Sequence, residues 1–209
     1  MRNNNGSKYF ILVALLVSVA ALTLGFAAFE STLTIKSSAD VNPGGNNFKV
    51  DFSTSNTSTA SGSVTPTVNP TGVTGFSGSA ATLNATTISG LKATFTAPGQ
   101  SVKYSFYAYN SGEFLAYLNS VNIGAKTCTA GTGTTASYVA SACNGISISV
   151  KVGSQTYDAS NTNISSHTLA KNTGEAVEVT IAYAAGSAEA DGDFTVSFGD
   201  TILTYGSAD

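Results

Sequence analysis

The chain of 209 residues contains no tryptophan, one methionine, one histidine and two cysteines, and only 10% of its residues are charged. Any Ser-His or Cys-His catalytic pair would have to use the single histidine, His167. Its polar, turn-like surroundings at residues 165–168 favour an ordinary surface side chain. The HExxH pattern of zinc proteases is absent as well. No catalytic residue or cofactor is predicted, and we expect a protein that is not an enzyme.

Positive charge is also scarce. Nine Lys and Arg residues against 12 Asp and Glu residues give a formal net charge of -3. Loss of a leader containing Arg2 and Lys8 would make the net charge about -5, because two positive charges would leave the total of -3. Long-range attraction to phosphate is therefore missing, and nucleic acid is not an expected partner.

Uncharged residues dominate the amino-terminal region. The run from Tyr9 to Phe29 has no charged side chain and follows the cations Arg2 and Lys8, which is the charge order of a secretory leader. Small residues precede two candidate cleavage points, after Ala27 and after Ala28. A helix of this length could also cross a ~30 Å hydrocarbon layer if it were retained. We expect residues 1–28 to be a signal peptide or an N-terminal membrane anchor, and residues 29–209 to be exported to the cell surface or the extracellular space.

The two cysteines, Cys128 and Cys143, are separated by a stretch rich in Gly, Thr and Ser. Exported proteins meet an oxidising environment, in which such a pair forms a disulfide. A bridge over a loop of this length stabilises a fold by about 3 kcal/mol in the chain-entropy model. We predict a Cys128–Cys143 disulfide, with two unpaired cysteines as the alternative.

Apolar side chains recur at every second position in the exported part, which is the period of a half-buried strand. About eight to ten short strands with Gly, Pro and Asn turns between them, and no helical period after the leader, predict an all-β fold. We expect an antiparallel two-sheet sandwich, jelly-roll or immunoglobulin-like, after an N-terminal hydrophobic helix. The clearest predicted strands are residues 48–52, 91–95, 102–109, 146–152, 177–183 and 194–198.

One acidic cluster is a candidate for a metal site. Glu189, Asp191 and Asp193 lie within five positions and could offer hard oxygens to Ca²⁺. The alternative is a polar hairpin turn, in which Asp and Gly are favoured for their backbone conformations. The spacing is not that of a complete calcium-binding loop, so no metal is predicted.

Several segments together resemble the camelysin and TasA-like group of exported surface proteins of Gram-positive bacteria. They are the leader ending at residues 25–29, the strand at residues 31–35, and residues 97–106 and 190–196. The resemblance implies a jelly-roll-like sandwich, release by a SipW-type signal peptidase and, for the TasA-like members, assembly into biofilm matrix filaments. The metallopeptidase activity attributed to camelysin is not expected here, because the sequence shows no ligand set for it.

The new amino end after cleavage would begin with an amphipathic strand in which Phe29, Leu33 and Ile35 share one face. Pairing with a neighbouring subunit would bury these three side chains and build a filament. Folding back into the sandwich of its own chain is the alternative. The sequence therefore favours a matrix or filament subunit, and an adhesin-like binding module using Tyr107 and Tyr109 is the competing hypothesis.

Overall fold

The computed structural model describes residues 48–84, 88–158, 164, 167–199 and 202–207. Within these residues, sixteen strands and one helix follow in chain order. The first eight strands are β1 (Val50–Ser53), β2 (Gly62–Val64), β3 (Thr67–Asn69), β4 (Ser77–Gly78), β5 (Ala81–Leu83), β6 (Ile88–Ser89), β7 (Lys92–Phe95) and β8 (Ser101–Asn110). The remaining elements are β9 (Ala116–Asn122), β10 (Lys126–Ala130), α1 (Ala136–Cys143), β11 (Ile146–Val152), β12 (Gln155–Tyr157), β13 (Thr168–Leu169), β14 (Thr173–Tyr183), β15 (Phe194–Phe198) and β16 (Ile202–Ser207).

The largest sheet has the order β1-β8-β14-β11-β12, and β3 also pairs with β8. All of its pairings are antiparallel, and the long central strands β8 and β14 run in register from Asn110↔Thr173 to Ser101↔Ala182. Alternate residues of β14, from Val177 to Tyr183, are buried. Strict alternation fixes the register here, because a shift of one residue would turn this whole apolar row towards solvent.

A second sheet, of order β10-β15-β7-β4, packs against the inner face of the large sheet. Rings from both sheets meet: the centroids of Phe95 on β7 and Tyr183 on β14 are 5.8 Å apart, and those of Tyr183 and Phe194 on β15 are 5.5 Å apart. The Tyr104 hydroxyl of β8 also reaches across to donate to the carbonyl oxygens of Ser79 and Lys92. The predicted all-β sandwich is therefore confirmed.

Two smaller antiparallel sheets complete the described fold, with the orders β13-β9-β16 and β2-β5-β6. Their buried side chains Leu83, Ile88, Leu118 and Leu203 join the same hydrophobic core as the two larger sheets. The turn between β7 and β8 has the predicted Pro-Gly chemistry, since Gly99 has a φ of +87°, which a type II turn requires at its third position.

The cysteine-containing segment differs from the prediction. It contains a strand, β10, and the helix α1, where only a loop without helical period was expected. The helix has eight residues and buries only Val139 and Ala142, so its amphipathic signal is short. Isolated helices of this length are marginal in water, and tertiary contacts supply most of their stability.

The predicted disulfide is one of those contacts, and it is confirmed. Cys128 on β10 is bonded to Cys143 at the end of α1, with a Cα–Cα distance of 6.1 Å. Both cysteines are in the bond, and no free cysteine is present.

The predictions for the amino terminus lie outside the described residues. They concern the leader at residues 1–28, the cleavage points at Ala27 and Ala28, and the strand carrying Phe29, Leu33 and Ile35. No helix in the described part of the chain has the length and hydropathy needed to cross a membrane. Every described residue belongs to one compact unit.

Candidate functional site

A cleft of about 400 Å³ opens where the edge strand β10 lies beside β11. Its floor is apolar, and its lining includes two charged residues, one on β10 and one directly after β12. The lining residues are Ile123, Gly124, Lys126, Ile146, Ser147, Ile148, Asp158 and Phe198. They come from β10, β11 and β15, from the β9–β10 connection and from the residue after β12. Apolar walls with a few polar groups are typical of a binding site.

Lys126 links the two sheets across this cleft. Its Nζ donates a hydrogen bond of 2.6 Å to the backbone carbonyl oxygen of Ile146. Partial burial lowers the pKa of Lys126, because the ammonium loses hydration there. The carbonyl acceptor is neutral and does not cancel the positive charge of Lys126. The ammonium group can therefore still attract an anionic group in the cleft.

Part of the β11 backbone faces the cleft and is not paired with any described strand. The carbonyl of Ile146 receives Lys126, so it points away from β14, and Tyr183 opposite it donates its N–H to Gln100 instead. Backbone groups alternate in direction along a strand, so those of Ile148 face the same side as those of Ile146. Within the described residues, β12 pairs only with Val150–Val152. No described strand therefore covers the outward backbone groups of Ile148.

The cleft has the chemistry of a site for non-covalent binding. Its side chains offer apolar surface, one ammonium group, one carboxylate and one hydroxyl. An extended peptide fits this combination, because its backbone can pair with the open edge of β11 while its apolar side chains cover Ile146, Ile148 and Phe198. The two opposite charges at Lys126 and Asp158 can fix its position.

No protein-family model, no curated protein and no solved structure matches this chain. What the cleft binds must therefore be inferred from its geometry and from the patterns of the sequence.

The acidic cluster does not form a three-carboxylate site. The Asp191 Oδ1 accepts a hydrogen bond of 2.8 Å from the backbone N–H of Thr135, the residue before α1. A hydrogen bond from the Thr135 side chain, together with this backbone bond, lowers the pKa of Asp191. Asp193 contributes its backbone carbonyl, which accepts from Gly131 N–H and Thr134 Oγ1. Among the residues with described positions, no three His, Cys, Asp or Glu side chains are grouped to hold a metal ion.

These contacts give the acidic loop a structural role next to the disulfide. A Cβ atom at Gly131 would collide with Asp193, and one at Gly192 would collide with the Thr134 hydroxyl. Glu189 acts on Tyr183 instead. Burial raises the pKa of Tyr183, and the negative charge of Glu189 raises it further. The loop therefore holds the start of α1 against the segment that leads into β15 of the second sheet.

His167 is not the surface side chain that its polar neighbours suggested. Its side chain is only 10% exposed, and its Nε2 lies 2.6 Å from Oε2 of Glu175. Its backbone carbonyl accepts from Leu118 N–H and so continues the pairing between β13 and β9. The prediction of a surface histidine was wrong because its partner is eight residues away on a different strand.

The adhesin hypothesis has less exposed tyrosine surface than the sequence suggested. Of its two tyrosines on β8, Tyr109 is 8% exposed, whereas Tyr107 is half-buried. The cleft itself was missed by the sequence analysis. Its residues belong to five separate segments, and only the alternation of Ile146 and Ile148 in β11 gave a signal, which indicated a strand rather than a site.

Proposed function

We propose that this chain is an exported structural protein of the cell surface or extracellular matrix, whose subunits assemble when the N-terminal strand of one enters the cleft of the next. The proposal rests on the outward backbone groups of Ile148, which no described strand covers, above the apolar floor of the cleft. The resemblance of the leader and the following strand to TasA-like matrix proteins favours the same function. A SipW-type signal peptidase would expose the strand during export.

The donor segment has the chemistry that the cleft accepts. Phe29, Leu33 and Ile35 alternate with polar residues, so they would share one face of an extended strand. Glu30 and Lys36 carry opposite charges near the two ends of this segment, and Lys126 and Asp158 carry opposite charges at the cleft. Burial of the three apolar side chains on an open edge would contribute about 1.5–3 kcal/mol each.

The test uses the full chain, exported from a bacterial host and examined by negative-stain electron microscopy. Removal of residues 29–35 should abolish filaments and leave monomers. Leu33→Asp should do the same, because the new carboxylate would be desolvated in the cleft. Thr34→Asp is the matched control: it adds the same charge on the opposite face of the strand and should leave assembly intact.

The acceptor side is tested by a second matched pair. Ile123→Asp places a charge on the wall of the cleft, while Asn122→Asp places it on the exposed neighbour at the end of β9. Ile123→Asp should block assembly and Asn122→Asp should not. Filaments of unchanged length and number after deletion of residues 29–35 would refute the proposal.

A further inference from the structure

The disulfide joins the two walls of the cleft. Cys128 lies on β10 two residues after Lys126, and Cys143 ends α1 three residues before Ile146. Lys126 and Ile146 are the pair whose hydrogen bond of 2.6 Å crosses the cleft, and they are 20 residues apart along the chain. Through the disulfide the path between them is much shorter: two residue steps, the sulfur bridge and three residue steps.

The wall formed by β10 is the less supported of the two. This strand lies at the edge of the second sheet and, among the described strands, pairs only with β15. Its Lys126, Thr127 and Thr129 side chains are exposed, and none of its five residues is buried. Segments with few buried contacts are the first parts of a fold to open. Opening of β10 removes one wall of the cleft, because Lys126 then leaves β11.

The other end of the bridge is attached to the large sheet. The carbonyl of Gly145, two residues after Cys143, accepts a hydrogen bond from the N–H of Ala184, which directly follows β14. A Cβ atom at Gly145 would collide with the Ser187 side chain, so this junction is closely packed. β11 then pairs with β14 over all seven of its residues. The disulfide therefore ties an edge strand of one sheet to the centre of the other.

We propose that the Cys128–Cys143 disulfide is a redox control of the cleft: the oxidised chain holds β10 beside β11 and accepts a donor strand, whereas the reduced chain releases β10 and does not. This inference rests on the proposed function, since it names the regulation of the same site. Thiols are kept reduced in the cytosol, and exported proteins meet an oxidising environment. Assembly is therefore confined to the outside of the cell.

Closure of the bridge is a thiol–disulfide exchange. One cysteine thiolate attacks a disulfide donor, a mixed disulfide forms and one donor thiolate leaves. The second cysteine thiolate attacks the mixed disulfide, the bond between Cys128 and Cys143 forms, and the other donor thiolate leaves. The two cysteines lose two electrons and two protons, and the donor is reduced to two thiols. Both cysteines are only half-buried, so a small organic disulfide or an exported thiol–disulfide oxidoreductase can act as the donor.

Loop closure gives the size of the effect. The probability that the two ends of a flexible segment meet falls with the 3/2 power of its length. Without the bridge, 20 residues join the two walls. A path of about six steps raises that probability about sixfold over the longer one. We therefore expect the reduced chain to bind a donor strand about sixfold more weakly than the oxidised chain.

The first experiment measures hydrogen exchange by mass spectrometry on the full-length Leu33→Asp variant, oxidised and after reduction with dithiothreitol. This variant does not assemble under the proposed function, so contacts between subunits do not protect β10. Reduction should speed exchange in β10 and α1 by a larger factor than in β8 and β14. An equal factor in all four elements would overturn the inference, because the bridge would then stabilise the whole fold and not the cleft.

The second experiment measures the affinity of the same variant for a fluorescent peptide of residues 29–36, by fluorescence anisotropy. The oxidised form should bind the peptide, and the reduced form should bind it about sixfold more weakly. Replacement of both cysteines by serine is the control for the reagent: it should match the reduced form with or without dithiothreitol.

The outcomes separate the two proposals. Equal affinity of the oxidised and reduced forms would overturn the redox control and leave the filament proposal standing. Failure of both forms to bind the peptide would overturn the filament proposal, together with the regulation that rests on it.

Discussion

The two ends of β14 both place side chains in the interior of the sandwich. They differ in how far the buried polar groups there are satisfied. At its carboxyl end, Tyr183 packs against Phe95 and Phe194, and its hydroxyl donates to the carbonyl of Ala188. At its amino end, Glu175 pairs with His167, and on β16 the buried Tyr205 hydroxyl has no hydrogen-bond partner among the described residues. The aromatic end is apolar and every buried polar atom named there is satisfied. The polar end keeps a carboxylate and an unpaired phenol, which stability alone does not favour.

The difference separates an end of β14 that is closely packed from an end that keeps buried polar groups. Apolar contacts stabilise the aromatic end without any ligand. A buried carboxylate and phenol lose hydration on folding, and only a partner restores it. The following predictions test this comparison, from the largest expected effect to the smallest.

Phe95→Ala should have the largest effect on stability. Phe95 is fully buried and its ring contacts those of Phe76, Tyr183 and Phe194, so truncation leaves a cavity between the sheets. We expect a loss of about 3–5 kcal/mol in the free energy of unfolding, measured by urea denaturation. Phe114→Ala is the control, since Phe114 is 49% exposed. A loss below about 1 kcal/mol for Phe95→Ala would contradict a packed aromatic end.

Replacement of both cysteines by serine should come next. The disulfide joins β10, the neighbour of β15, to α1 across a sequence separation of 15 residues. We expect a loss of about 3 kcal/mol, chiefly because the unfolded chain gains freedom. Thermal unfolding of the double variant should match that of the reduced wild-type protein. Equal stability of the oxidised and reduced wild-type forms would show that the bridge does not constrain the unfolded chain.

The two buried tyrosines Tyr104 and Tyr205 should respond oppositely to removal of their hydroxyls. Tyr104→Phe leaves the backbone groups of Ser79 and Lys92 without the hydroxyl that they bond. The free energy of unfolding should fall by about 1–3 kcal/mol. Tyr205→Phe removes a hydroxyl that has no hydrogen-bond partner among the described residues, and should be neutral or stabilising. Urea denaturation of both variants checks this. A larger loss for Tyr205→Phe than for Tyr104→Phe would show that its hydroxyl has a partner after all.

Asp191→Asn should have the smallest effect, and this effect should appear only in the pH dependence of stability. Hydrogen bonds from Thr135 lower the pKa of Asp191 in the folded protein, so its ionised form favours folding. That contribution is present above the unfolded-state pKa and is lost as the pH falls through the folded-state pKa. The variant should therefore lose less stability than the wild type on acidification, in thermal melts at a series of acidic pH values. Parallel acid profiles would contradict a role for this carboxylate.

Much of the sandwich was predictable because the period of two in β7, β8, β11, β14 and β15 directly reports which side chains are buried. The turn at Gly99 was predictable for a similar local reason, since a proline followed by a glycine fits a type II turn. The helix α1 was not, because eight Ala- and Ser-rich residues show no distinct helical stripe, and the helix depends on a disulfide and on Asp191 from a distant loop.

The sequence by itself determined the all-β class, the main strands and the pairing of the only two cysteines, because these depend on local periodicity and on a count that allows one bridge. Only the tertiary structure decided that His167 contacts Glu175, that the Tyr205 side chain is buried, and that the edges of β10 and β11 enclose a cleft. These contacts join residues from separate strands, and their positions follow from sheet order and packing, which local sequence patterns do not specify.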